Sequence, residues 1–456
     1  MKGLRFEKWH YSLGILFAFY ILLQPFLDLF AFVGIPVSTL IRALVIPLGL
    51  VFILGFSSVK WTKISLIYLA VLFIYMGLHF INNMIFKDPI SMGEEITYII
   101  KTVYFAVMLI VYIMLFFTLK SRWNIKKTIP KFIYINLLVV SIIVLLAHIT
   151  GTGQRSYGML LREGHTGWFF SGNELSAIYA MGFCFAVLFF LKTKRGLIKW
   201  LMIPALFLMI LAMLNIGTKV AFGGAVIALL LGVVTSFWEL IKKKKGLNLI
   251  IITALTVVTL AISPFMAIGN NLGVSMDISQ APAEEEGEES AAEEGGSVDS
   301  GETPENVSEG PALGPIQSFF LSGRESFFND SLTQFQAAPV SQKILGMGRG
   351  GNYEETSKFI EMDFIDWFFN FGFVGFILLM IPLAAVGGAS IVNILKNGRL
   401  FSLNVLFSGL ATCIGLGAAF TAGHVLSSPG AGIYLAVGLA FLFTMSMKKE
   451  TGNRRW

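Results

Sequence analysis

The sequence predicts an all-α integral membrane protein of about twelve transmembrane helices, with one large extracytoplasmic loop between helices 9 and 10. Three observations predict it. First, 55% of the 456 residues are hydrophobic and only 14% are charged, whereas soluble domains keep roughly a quarter of their residues charged; the mean hydropathy is +0.74. Second, the apolar residues gather in runs close to the ~20 residues that a helix needs to cross hydrocarbon. Such runs must be helical, because in lipid every backbone N–H and C=O has to be satisfied within its own segment. Third, Lys and Arg fall between the runs, where they set orientation, rather than forming the single basic surface that nucleic acid would need.

Spans are predicted at residues 11–33, 37–58, 63–83, 97–119, 130–150, 173–192, 197–215, 219–240, 247–268, 364–388, 401–422 and 430–447. They divide the chain into helices 1–9 (1–268), an extracytoplasmic loop (269–363), and helices 10–12 with a cytoplasmic tail (364–456). With Lys2, Arg5 and Lys8 inside, alternate loops carry Lys60 and Lys63, then Lys120 to Lys131, Lys192 to Lys199, and Lys242 to Lys245. Lys396 and Arg399 follow, then Lys448 to Arg455. Every loop on that side is basic, so both termini are expected in the cytoplasm. Cys184 and Cys413 lie inside apolar runs and do not form a disulfide framework. No small-residue cleavage site follows the first run, which reads as a retained helix.

Ten cations remain: Arg42, Lys87, Lys101, Arg155, Arg162, Lys219, Arg324, Lys343, Arg349 and Lys358. Almost all map to outer helix ends, as do His79, His148, His165 and His424. Any one of these residues suits an interfacial anchor. Together they predict an outward cavity for an anionic ligand.

Two outer loops hold most of them. Residues 151–172 contain Arg155, Arg162, His165 and several glycines. In the second loop, residues 281–310 carry ten Glu and one Asp without Lys or Arg, a composition that predicts a disordered acidic linker. From 313 to 362, Phe319, Phe320, Phe327, Phe328 and Phe335 recur at a loosely helical period, which predicts an amphipathic helix on the membrane surface. Glycines flank Arg349 in Gly346-Met347-Gly348-Arg349-Gly350-Gly351, so that backbone and guanidinium can approach a ligand. The string lacks the GK[ST] of a P-loop.

In this order the pieces resemble the O-antigen ligase and O-antigen polymerase family of bacterial envelope glycan proteins. The resemblance is carried by Arg162 ahead of Gly172-Asn173-Glu174-Leu175, by Gly217-Thr218-Lys219 with Lys where the family has Arg, and by Arg324. The Gly346–Gly351 turn and Gly372-Phe373-Val374-Gly375 complete it. Where the ligase branch has a histidine before the last of these motifs, this sequence reads Phe359-Ile360-Glu361-Met362-Asp363-Phe364-Ile365-Asp366. Acidic residues there are more similar to polymerase-type members.

The resemblance implies an undecaprenyl-pyrophosphate-linked glycan donor, a glycan acceptor, and transfer at the outer face of the bacterial cytoplasmic membrane. Other envelope-assembly proteins are conceivable partners; nucleic acid, cofactor and metal are not expected. Arg162, Lys219 and Arg324, with Arg155 and Arg349 behind them, are expected to stabilise the departing diphosphate. Asp363, Glu361 or His165 would be the base, Asp363 foremost. Glu361 and Asp363 also suit capping of the helix near residue 364. Asn173 and His424 are expected to line the cavity or to serve their own helix ends. The rival class is a lipid-linked glycan or polysaccharide transporter, which would show internal repeats and midplane charges; a non-catalytic scaffold is a third. The two halves show no convincing repeat, and the polar residues crowd the outer boundary.

Overall fold

The structure, a computed structural model, describes residues 8–56, 60–119, 123–157, 161–244, 246–280, 324–352 and 360–448. The acidic 281–310 segment, Phe319, Phe320, Lys358 and the outermost basic residues of both termini lie outside the described residues.

Nine long helices follow one another: α1 (Lys8–Phe32), α2 (Val37–Leu54), α3 (Lys60–Phe86), α4 (Met92–Leu119), α5 (Ile125–Ile149), α6 (Gly172–Lys192), α7 (Leu197–Ile216), α8 (Lys219–Lys243) and α9 (Leu247–Ile262). Among the described residues three shorter helices come next, α10 (Ala267–Gln280), α11 (Glu325–Ala337) and α12 (Val340–Leu345). The chain closes with α13 (Asp363–Lys396), α14 (Leu403–Thr421) and α15 (Pro429–Ser446). Among the described residues, twelve helices (α1–α9 and α13–α15) are long and apolar enough to cross a membrane. The protein is an all-α integral membrane protein, and its large loop lies between the ninth and tenth spans. The only strands among the described residues are β1 (Gln154–Arg155) and β2 (His165–Gly167), an antiparallel pair in the α5–α6 loop.

The helices form a bundle with a protein-lined centre and a lipid-facing rim. Every residue of α15 is buried, and α4 and α6 are nearly so. By contrast, α2, α3 and α13 turn Leu40, Ile67, Ile74 and Phe373 outward. Since lipid tails are as apolar as leucine, central helices associate by close packing and polar contacts. Gly224 on α8 lies so close to Ala180 on α6 that a Cβ would meet the Ala180 backbone Cα at 2.7 Å. Asn136 on α5 donates to the Tyr434 hydroxyl on α15 at 3.0 Å, and the Tyr20 and Tyr104 hydroxyls share a bond of the same length.

Helix α5 begins at Ile125 rather than near 130, and α13 runs on to Lys396 rather than ending near 388; two further boundaries differ for physical reasons. Helix α4 begins at Met92 rather than near 97 because buried Glu95 finds cationic partners. Helix α9 ends at Ile262, where Ser263–Phe265 tightens into a 3₁₀ turn at Pro264. The phenylalanines of α11 face protein: Phe328 and Phe335 pack against Phe369 on α13.

Helix α13 bends at Gly372, whose φ of +62° only glycine adopts readily. A Cβ there would meet the carbonyls of Lys343 and Ile344 at 2.8 Å. The bend lets the first turns of α13 lean under the 340–349 segment at the end of the bundle that carries the α5–α6 loop.

Candidate functional site

At that end four of the expected residues converge from four elements. His424, in the α14–α15 loop, places Nε2 3.2 Å from Oε1 of Glu361, just ahead of α13. Arg324, at the start of α11, brings Nη2 to 3.4 Å from the other Glu361 oxygen. Asn173, in the first turn of α6, donates to that oxygen at 3.4 Å. Arg324 is tethered to the loop by a bond from Nη1 to the carbonyl of Thr421 at 3.2 Å. All three charged side chains keep some access to solvent, 26% for Glu361, 34% for His424 and 14% for Arg324.

The backbone marks this pair. Among the described residues only Lys244, Glu361 and His424 are non-glycine residues with positive φ, and the last two face each other at 60° and 54°. Each conformation costs roughly 1–2 kcal/mol for an L-residue, and such strain gathers at functional sites. Gly423, at φ +62°, packs directly on the Glu361 backbone, leaving no room for a Cβ.

Two aspartates in the first turn of α13 hold this geometry. Asp363 accepts hydrogen bonds from the Val425 and Leu426 amides, both 2.8 Å, and from the Ser427 hydroxyl at 2.6 Å. Asp366 accepts from the Ile360 and Met362 amides at 3.1 Å. Asp366 thus folds the Glu361 segment over its own helix, while Asp363 pins the His424 loop. Asp363, the foremost candidate base in the sequence, is 1% exposed and committed to three donors. It ties down the neighbouring loop rather than capping its own helix.

Burial opposes charge on both partners, and the partners overcome it. Glu361 is held below its usual value by the bond and charge of His424 and by Arg324. His424 is pushed up to about 9 by Glu361, with Asp363 and Glu174 adding to it. At neutral pH the cluster therefore carries two cations around one carboxylate.

Arg155, Arg162, His165 and Lys219 gather at an adjoining corner. The Arg162 guanidinium lies 5.6 Å from the Tyr157 ring, and the Tyr157 hydroxyl reaches the Gly217 carbonyl at 3.4 Å. Gly217 closes α7, and Thr218 caps α8 by accepting from the Ala221 amide, which leaves Lys219 exposed at the head of α8. Arg155 donates to the Arg162 carbonyl at 2.9 Å. His165 stands 4.4 Å from the His148 ring, ring centre to ring centre, and burial, His148 and Arg155 lower its pKa. A Cβ on Gly172 would lie 3.3 Å from the Ser156 carbonyl, so this corner abuts the turn that carries Asn173.

Arg349 occupies a third position, fixed by a polar stripe on α3. Tyr75, His79, Asn83 and Lys87 recur every four residues and therefore share one face. Tyr75 donates to the carbonyls of Leu345 and Phe371, His79 contacts the Leu345 carbonyl at 2.6 Å, and Asn83 donates to Gly346 at 3.2 Å. Lys87 bridges the Arg349 carbonyl at 2.7 Å and Glu95 at 3.0 Å, and Glu95 accepts the Arg349 amide. Burial pulls Lys87 below its usual value, with Glu95 opposing. The glycines around Arg349 thus serve close backbone packing against α3 and α4.

Sequence reasoning missed the roles of Glu174 and of Asp28, the partner of Arg42. Arg42 forms an ion pair with Asp28 across α1 and α2. Glu174 acts on Arg42, Asp28, Lys101 and His424, and its carboxylate lies against Gly430 at the head of α15. Glu174 stood in the sequence within the Gly172–Leu175 motif and in Ser171-x-x-Glu174, which matches a capping box; the Ser171 hydroxyl accepts the Glu174 amide. Among the described residues no cluster of three His, Cys, Asp or Glu is placed to hold a metal ion.

The model of a family described as O-antigen ligase like membrane protein matches residues 10–450. The chain belongs to that family. No curated protein matches this O-antigen ligase-like protein. The family match runs through all twelve spans and through each segment that supplies the cluster: α6, the 324–362 region and the α14–α15 loop.

Proposed function

We propose that this protein transfers a saccharide from an undecaprenyl-pyrophosphate-linked donor to an acceptor glycan, at the outer face of the bacterial cytoplasmic membrane. The observation that carries this reading is the strained Glu361–His424 pair with Arg324 and Asn173, in a chain of the O-antigen ligase-like family. The basic loops at the opposite end support an outward orientation for the cluster.

In the proposed reaction an acceptor hydroxyl attacks the anomeric carbon of the donor sugar. The C–O bond to the diphosphate breaks, the hydroxyl proton passes to a base, and undecaprenyl pyrophosphate leaves with its electron pair. Arg324 and His424 in its charged form are the cations that receive the growing phosphate charge, the kind of aimed electrostatic contact that often contributes most to lowering a reaction barrier. Arg162 and Lys219 at the adjoining corner bind further along the donor. A diphosphate that draws Arg324 and His424 to itself releases Glu361, which then takes the proton. Asn173 orients the Glu361 carboxylate. Asp363 and Asp366 position the two loops, and His165 is assigned no proton transfer.

The test is transfer by the purified protein in detergent, supplied with lipid-linked oligosaccharide. Longer glycan and release of undecaprenyl pyrophosphate are expected. A protein that moves lipid-linked glycan across liposomes without either product would be a transporter, and the proposal would fail.

A further inference from the structure

A cavity of about 390 Å³ opens at the end of the bundle opposite the candidate site, among residues that the transfer reaction does not use. Among the described residues Lys126, Arg399, Ser402, Asn404, Phe401 and Met445 line it, two of them cations and none a carboxylate. Lys192 closes one side by donating to the Lys126 carbonyl at 2.7 Å and to Asn404 Oδ1 at 2.8 Å. Arg399 is oriented by a bond from Nη1 to the Met445 carbonyl at 2.8 Å, near the end of α15.

Helix α14 begins at this cavity. Its N-cap, Ser402, makes no side-chain capping bond, and the first intrahelical bond runs from the Leu406 amide to Ser402. The amides of Leu403, Asn404 and Val405 therefore precede the hydrogen-bond ladder and give this 19-residue helix a positive end beside the two cations. The cavity's mouth is apolar and aromatic. Phe401 is 75% exposed and stacks on Trp238 of α8 at 6.2 Å, with Lys242 over the Trp238 ring at 4.8 Å. Leu395 and Leu400 are exposed beside it. Exposed Trp next to Lys and Arg is the pattern of a helix end at the headgroup level of a bilayer.

We infer that this cavity binds the phosphate headgroup of an anionic phospholipid. The phosphate sits between Lys126, Arg399 and the head of α14, and the acyl chains lie over Phe401 and Trp238. Free phosphate shares the headgroup chemistry but would gain nothing from the aromatic mouth.

The test is native mass spectrometry of the full chain in detergent, titrated with phosphatidylglycerol or phosphatidylcholine. Phosphatidylglycerol is expected to be retained about tenfold more tightly, the scale of one charge-assisted contact. Lys126→Gln with Arg399→Gln should abolish that preference, whereas Arg399→Lys, which keeps the charge, should retain it. Lys126→Gln alone, which leaves the Arg399–Met445 bond intact, should weaken phosphatidylglycerol several-fold and guards against misfolding of the double variant. Equal retention of the two lipids, or an unchanged preference in both glutamine variants, would overturn the inference. Millimolar inorganic phosphate is expected not to displace the lipid; displacement would assign the cavity to a soluble phosphate and overturn the lipid assignment.

Discussion

Replacing His424 by asparagine removes one cation from the cluster without adding backbone strain, because Asn tolerates the left-handed region in which His424 sits. In the wild type the Glu361 bond raises the imidazole to about 9, so it is charged at pH 7. A hydrogen bond to a charged group contributes about 1.5–3 kcal/mol. If His424 makes one such contact to the diphosphate, its loss slows transfer about 10- to 150-fold. The pH dependence is the sharper signature. Wild-type transfer should hold through pH 8 and fall as His424 deprotonates near pH 9. The His424→Asn protein should start lower and show no loss at that pH. Stability follows the same sign. The folded pKa lies above the ordinary value of about 6.5, so the pair's contribution is complete below that value and disappears as pH rises through about 9. The assay is release of undecaprenyl pyrophosphate between pH 6 and 10, with thermal melting in the same buffers. A wild-type profile flat across pH 9, or an identical alkaline fall in both proteins, would refute this role for His424.

Asp363→Asn turns a donor toward amide or hydroxyl hydrogens and should cost about 2–4 kcal/mol of stability, read as a lower melting temperature. An inactive variant with the wild-type melting temperature would instead make Asp363 the base. Glu95→Gln leaves Lys87 and the Arg349 amide short of a buried charge and should cost about 3–5 kcal/mol, a loss visible in thermal melting; unchanged melting would contradict the clamp on the Arg349 loop. Gly423→Ala should remove transfer activity while the protein still inserts in the membrane, since the new methyl displaces Glu361. Wild-type turnover by that protein would show that the close packing is dispensable.

The twelve spans were legible because hydrocarbon thickness imposes a length and an apolar content that few other structures share. Which helices sit in the centre was not. Helices α15 and α3 are both apolar, yet one is wholly buried and the other turns Ile67 and Ile74 to lipid. Hydropathy cannot separate them, since core and lipid are equally apolar. In the site, charge type and outer position singled out Arg324 and His424, while the family resemblance drew attention to Asn173 and to the stretch that holds Glu361. Their convergence lay hidden because it depends on left-handed backbone at Glu361 and His424, and only Gly423 hinted at it. The α3 stripe from Tyr75 to Lys87 was visible at a spacing of four but has meaning only beside Glu95 and the 345–349 backbone. From sequence Asp363 suits either a base or a helix cap, because a carboxylate at a helix start fits both, and its contacts to the His424 loop come from residues about sixty positions away.

The most direct measurement compares purified wild-type and Arg324→Ala protein on lipid-linked oligosaccharide, reading glycan length and undecaprenyl pyrophosphate together. The wild type is expected to form both products, and Arg324→Ala, equally folded by melting, to form both about a hundredfold more slowly. Equal rates in the two proteins would contradict transfer at the Glu361–His424–Arg324 cluster.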